Sequence, residues 1–291
     1  MGLSFVLIQV INSVAYGSLL FLIASGFSLI FGLMKITNMT HAVFYMMGSY
    51  IGMRIVTMTG NFGLAMLVSG IIVSIVGFLV FKFFLFRLQG NAQSQVLLCI
   101  GFLFFFDDLL LVIFTGNPMQ IPVPKILDFS ITFFGMYFPM YRIFLIAVGI
   151  IIAVALVLIV DKTKLGCLVR AGVDDEETVR AIGIDINKLF VIVYIGGTFL
   201  AAIGGVLGGP FLGMEPRMCF TIMPLALAVV IIGGLGDLKG AFFGSMVVGL
   251  LDTFGRAYFP DFSYFTLFLP MALVLAFKPN GLFSSGKVVD A

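Results

Sequence analysis

Nine apolar runs decide what this chain can fold into. They lie at about residues 5–33, 41–59, 63–81, 96–115, 140–160, 189–212, 219–235, 240–256 and 262–277. Several approach the roughly 20 residues that a helix needs to cross a hydrocarbon core. In lipid every backbone polar group must be satisfied internally, which leaves only helices and closed barrels. These runs do not alternate with period two, so they read as helices. Only 10% of the residues are charged against 61% hydrophobic, and the mean hydropathy is +1.21. A water-soluble domain carries about a quarter charged residues. The expected fold is all-α and polytopic, with eight or nine transmembrane helices in one transmembrane domain over residues 1–291.

Glycine and proline punctuate the runs. The first contains Gly17, Gly26 and Gly32 and reads as one tilted or broken helix. The seventh and eighth are short and separated only by Gly233–Gly240 (GGLGDLKG), so the count drops to eight if one of them is re-entrant. The connection 116–139 holds four prolines and reads as a segment on the membrane surface. The first 34 residues hold no Lys or Arg, so the charged region of a cleavable signal peptide is missing.

Charge is concentrated in one place. Of 16 Lys and Arg and 14 Asp and Glu, eleven lie between Asp161 and Lys188. Asp174, Asp175, Glu176 and Glu177 suit the positive N-terminal end of a helix. Arg180 follows Glu176 at i+4, and Gly183 suits a C-cap. One short helix over about 174–182 is expected, preceded by an apolar stretch, Leu165–Val173, lying against the bilayer or a partner. Pattern alone leaves two readings, a solvated loop or a rigid knob that docks into a partner. With the N-terminus outside and nine spans, eleven cations fall inside and five (Arg54, Lys125, Arg142, Arg217, Arg256) outside. The positive-inside rule then puts the charged segment and the C-terminus in the cytoplasm.

Other polar residues stand out against this background. Gly197, Ala201, Gly205, Gly209 and Gly213 recur every four residues, a face that lets a second helix backbone approach closely; Pro210 is expected to kink or end that helix. Gly32–Gly48 and Gly233–Gly244 are two polar, Gly-rich breaks in opposite halves, a pattern of transport pathways and hinges and of a suspected internal repeat. Asn38 and His41 lie in the first of them. A single histidine cannot make a zinc site, and a structural hydrogen bond at a helix start is its simpler use. Asp107 and Asp108 sit midway along the fourth run. Carboxylates at that depth are costly and face the protein interior. Adjacent helical positions point about 100° apart, so the two cannot serve one site equally. Each is either a pathway acid or half of an interhelical hydrogen bond. Cys99, Cys167 and Cys219 have no CxxC spacing and read as apolar filler. The net charge of +2 gives no footprint for nucleic acid, and no nucleotide-binding or nucleophile motif is present.

The residues also carry a family resemblance. Thr163–Gly209 (TKLGCLVRAGVDDEETVRAIGIDINKLFVIVYIGGTFLAAIGGVLGG) resembles the coupling loop and following helix of the membrane permeases of bacterial ABC importers. Thr37–Tyr50 (TNMTHAVFYMMGSY) is similar to the Asn-x-x-His-Gly segment of the high-affinity branched-chain amino-acid permeases, and Ile231–Gly249 and Lys278–Phe283 (KPNGLF) match the same pattern. The length fits the shorter of that family's two permease subunits. The chain departs at Ala42, where the family usually has Gly, at Cys167, usually basic, and at Asp107 and Asp108, often an amide or Glu.

The resemblance implies a subunit that performs no chemistry and holds no cofactor. A second, longer permease subunit, two cytoplasmic ATPases holding ATP and Mg, and a periplasmic binding protein complete the importer, in the bacterial inner membrane. Arg170, Asp174, Asp175, Glu176, Glu177, Arg180 and Gly183 would couple to an ATPase. Asn38, His41, Asp107 and Asp108 would line the translocation pathway, and Gly197, Ala201, Gly205 and Gly209 would pack helices. Branched-chain amino acids are the implied solute, with urea, short amides and aromatic acids as alternatives. An ion-coupled carrier using Asp107 or Asp108 is the competing class. A membrane-embedded enzyme built on His41 lacks a nucleophile, base and metal to support it.

Overall fold

The computed structural model describes residues 3–35, 38–114, 116–133, 136–278 and 281–283. In chain order the helices are α1 (Leu3–Met34), α2 (His41–Thr59), α3 (Phe62–Phe83), α4 (Ala92–Phe114), α5 (Met140–Lys162), α6 (Lys164–Asp174), α7 (Glu176–Ala181), α8 (Ile186–Leu212), α9 (Met218–Gly233), α10 (Leu238–Tyr258) and α11 (Ser263–Phe277). Each of the nine apolar runs is thus one helix. α1, α3, α4, α5, α8 and α11 belong to the six stretches long and apolar enough to cross a membrane. The chain is a multi-pass, helical membrane protein.

α1 and α8 form the centre. α1 packs on α5, α8, α9 and α10, while α8 packs on α1, α2 and α3. Their contact is close because it is made by glycine. A Cβ on Gly26 of α1 would stand 2.9 Å from the Cα of Gly197 of α8, closer than real side chains come. The same small-residue face continues to Ala201, fully buried, and to Gly205, where a Cβ would meet the backbone of Tyr45 and Ser49 in α2. Gly209 holds the side chain of Ile121. Lipid gives helices little hydrophobic reason to associate, so close backbone approach supplies the cohesion. α4, α5 and α11 lie at the periphery and turn large apolar side chains outward, Val112 and Ile151 among them.

Three expectations change, and one connection proves to carry strands. α1 is unbroken through its glycines. α8 runs through Pro210 to Leu212, and side chains from outside the helix bond carbonyls of its last turns: the Tyr141 hydroxyl donates to the Leu207 carbonyl (2.7 Å) and Gln120 Nε2 to the Pro210 carbonyl (3.0 Å). Gly213 is not part of the packing face; it caps α8 at φ +77°, a left-handed value that favours glycine. The connection 116–139 is not featureless. It ends in a two-stranded antiparallel hairpin, β1 (Ser130–Phe133) and β2 (Met136–Pro139), with Ser130 opposite Pro139, and Met119 forms a bridge to Met214.

The turns obey capping chemistry that is legible in the residues. Asn61, Thr163, Asp175, Asp185 and Asp237 each place a side-chain oxygen on the free amides opening α3, α6, α7, α8 and α10. The two Gly-rich breaks meet. A Cβ on Gly32, near the end of α1, would lie 2.6 Å from the Cα of Gly236, which precedes α10.

Candidate functional site

The two ends of the bundle differ in kind. One carries the segment between α5 and α8. It holds two helices rather than one, because Thr163 caps α6 (its Oγ1 accepts from Gly166 N–H at 3.1 Å) and Asp175 caps α7 (Oδ1 accepts from Thr178 N–H at 3.0 Å). The apolar stretch Leu165–Val173 is therefore helical, within α6, and Asp175 rather than Asp174 opens the second helix. The side chain of Asp174 lies outside the described residues. Glu176 Oε1 accepts from Arg180 Nη2 at 2.8 Å, the i+4 pair that the spacing predicts. Gly183 follows α7 at φ +84°. Glu177, Arg170 and Arg180 are exposed, whereas Val179 is buried and anchors α7 to the body.

One carboxylate adds a polar tie between this segment and the bundle. Asp161, at the end of α5, accepts from Arg170 of α6 (2.8 Å) and pairs with Lys239 of α10 (3.3 Å). Beneath α7, Glu176 and Arg180 share a cavity of about 360 Å³ with Lys35 and the buried Gln95. Thr178 N–H and hydroxyl bonds hold the Asp175 carboxyl below the usual carboxylate range, and the Lys188 ammonium does the same first of all to Asp185.

The four polar residues read as pathway candidates do not come together. Asn38 is fully buried, donating from Nδ2 to Tyr194 Oη (3.0 Å) and accepting from Cys99 Sγ (3.5 Å). His41 starts α2 and is fully buried, its Nε2 3.1 Å from the Ile23 carbonyl and its ring 5.8 Å from that of Phe27. Asn38 ties the connection before α2 to α8 and α4, and His41 ties α2 to α1. Asp107 faces inward, bonded by Cys219 Sγ (3.5 Å) and 3.8 Å from Arg217 Nε. Asp108 is exposed on the other side of α4. Arg217 reaches Asp107 from a left-handed backbone conformation (φ +63°) just before α9, a strained geometry for a non-glycine residue.

At the opposite end lies a cavity of about 520 Å³ that the reading of the sequence missed. It opens among the first turns of α1 and α5, the ends of α8 and α10 and the start of α9. Arg142, Glu215, Asp252 and Arg256 face it. Asp252 is almost wholly buried and pairs with Arg256 Nε at 2.8 Å. Arg142 Nη1 donates to Asn12 Oδ1, and its guanidinium lies 5.8 Å from the Phe211 ring centre. The available signal was an Asp–Arg pair at i, i+4 inside an otherwise apolar helix, together with an Arg three residues after Pro139. Asp252 is the one of the four that is buried inside its helix, and an intramembrane carboxylate marks function by default.

Comparisons with known proteins agree over nearly the whole chain. Residues 9–277 match the family described as the permease component of branched-chain amino acid transport systems. The chain is 26% identical to the high-affinity branched-chain amino acid transport system permease protein BraD of Pseudomonas aeruginosa, with 96% of each chain covered. It is 25% identical to LivH of Escherichia coli, a permease protein of the same description, again over 96% of each. It is 30% identical to the probable branched-chain amino acid transport permease protein LivM of Methanocaldococcus jannaschii, over 44% of this chain and 42% of that one. The chain belongs to the family of permease components of branched-chain amino acid transport systems.

Proposed function

We propose that this chain is one of two permease subunits of an ATP-driven importer for branched-chain or closely related amino acids. The observation that carries the reading is the family match over residues 9–277. The two unlike ends of the bundle support the division of labour. α6 and α7 present exposed, internally paired charges to one side, as a docking element for an ATPase needs. The polar cavity opens on the other side, where a binding protein would deliver solute. ATP and Mg are held by the ATPase partners. Membership of one family by relatives named LivH and LivM supports a related second permease as the other half of the pathway. The Lys and Arg distribution supports an N-terminus in the periplasm and α6–α7 in the cytoplasm of a bacterial inner membrane.

Reconstitution tests this reading. The chain is co-expressed with a second permease subunit and ATPase subunits of the same importer class and placed in proteoliposomes with a matching binding protein outside. Leucine uptake that requires internal ATP is expected. Leucine uptake by this chain alone, driven by an ion gradient, would replace the reading with an ion-coupled carrier.

A further inference from the structure

The cavity at the end opposite α6–α7 contains two kinds of charge in different states. Asp252 and Arg256 neutralise each other at 2.8 Å. Arg142 and Glu215 do not. Among the described residues the one hydrogen bond of the Arg142 guanidinium is to the neutral Asn12, and Glu215 makes no ion pair. A guanidinium carries five N–H donors in a planar fork, so Arg142 keeps most of its donors for a ligand. The wall is also apolar in part, through Phe211, Met218 and Ile222. A volume of about 520 Å³ falls within the range of small-molecule sites, about 300–1,000 Å³.

One cation, one anion and an apolar wall are what a zwitterion with an aliphatic side chain requires. We infer that this cavity is the permease's own recognition site for the α-amino acid. Arg142 takes the α-carboxylate, Glu215 takes the α-ammonium, and Phe211, Met218 and Ile222 take the side chain. The guanidinium fork matches a carboxylate bidentately. The Asp252–Arg256 pair in the same lining adds no net charge. The alternatives at this end fit less well. A lone anion would leave Glu215 opposed to it, and a lone cation would meet Arg142. A neutral amide such as urea offers neither a carboxylate for Arg142 nor an ammonium for Glu215, so it uses neither charge. The inference rests on the importer reading and adds the place in this chain where the amino acid is held and the residues that meet it.

The assembled transporter with its binding protein provides the test, read as ATP hydrolysed per leucine imported. Arg142→Gln and Glu215→Gln are each expected to lower leucine uptake about tenfold and raise that ratio correspondingly, since a lost charge-assisted hydrogen bond is worth about that factor or more. Arg142→Lys restores the charge without the fork and recovers part of the uptake. Lys125→Gln, outside the cavity, leaves the ratio unchanged. Wild-type leucine uptake with both Gln variants at the wild-type ratio overturns the site while sparing the importer reading. A fall in uptake and hydrolysis together, at an unchanged ratio, also overturns the site. A wild-type complex that imports no branched-chain amino acid overturns the importer reading itself. If Arg142→Gln does not assemble, Glu215→Gln decides, because that side chain is exposed in a loop.

Discussion

Asp161 and Lys239 join the charged segment to the far side of the bundle: Lys239 Nζ stands 3.3 Å from Asp161 Oδ2, and the same carboxylate accepts from Arg170 at 2.8 Å. One carboxylate thus links α5, α6 and α10. The last of these, 21 residues long, carries Asp252 and Arg256 at its other end. At about 1.5 Å per residue α10 spans roughly 30 Å, from the charged segment to the polar cavity. Lys239→Ala is expected to leave subunit assembly intact and lower ATP-driven uptake by about two- to fivefold, the scale of a partly exposed ion pair. The exchange Asp161→Lys with Lys239→Asp restores the link to α10 but not to Arg170, so it should recover only part of the loss. Uptake per assembled complex measures both.

α7 gives a sharper test because its first and fourth positions respond oppositely to proline. Val179 N–H donates to the Asp175 carbonyl and its side chain is buried. Val179→Pro removes the donor, clashes with that carbonyl and empties the anchor. Co-purification of the ATPases and uptake should both be lost. Glu176 is the first residue of α7, where proline fits, so Glu176→Pro should keep most of the association despite losing the pair with Arg180.

The cap of α7 sets its response to acid. The folded Asp175 carboxyl is held below its ordinary value of 3.8, chiefly by the Thr178 hydroxyl. A depressed carboxylate contributes stability that is present above the ordinary value and is lost as pH falls through the folded one. Amide protection in α7, corrected for intrinsic exchange, should therefore hold from neutrality to about pH 5. Asp175→Ala should lose it at every pH, and Asp175→Asn should keep it, since the amide oxygen caps as well.

Asp107 and Asp108 should separate completely. Asp107→Ala strips the buried partner of Cys219 and Arg217, and a lower melting temperature with reduced assembly is expected. Asp108→Asn alters an exposed side chain and should leave the chain's folding unchanged. Thermal unfolding of the purified complexes distinguishes the two.

What the sequence makes legible follows the length scale of each signal. Apolar runs near membrane thickness specify their helices directly, and the caps at Asn61, Asp185 and Asp237 mark where three of them begin. The Glu176–Arg180 pair and the divergence of Asp107 from Asp108 follow from helical period alone. The split between α6 and α7 was hidden because four consecutive acids can open a helix at any of their positions; the side chain that reaches Thr178 chooses Asp175. The polar cavity was hidden for another reason. Its charges come from residues 142, 215, 252 and 256, which only the packing of α1, α5, α8 and α10 brings together. Asn38 and His41 stand out in the sequence as polar residues at a break, but their partners, Tyr194 and the Ile23 carbonyl, lie far away in the chain and are set by packing.

Gly205 and Gly196 lie in the same helix and should answer substitution in opposite ways. A Cβ on Gly205 would press into the Tyr45 carbonyl and stand 2.9 Å from the Ser49 amide, both backbone atoms of α2 that cannot rotate away. Gly205→Ala must push α2 off α8, and overpacking of this kind costs about 1–3 kcal/mol. Gly205→Leu should prevent folding. Gly196 faces outward with nothing within 4 Å of an added Cβ. Gly196→Ala should be neutral or raise stability by up to about 1 kcal/mol through helix propensity. The comparison isolates close approach from composition, because both variants replace a glycine of α8 with the same residue. Melting temperatures of the two purified proteins in one detergent provide the measurement, and equal shifts for both would mean that α8 does not use Gly205 to seat α2.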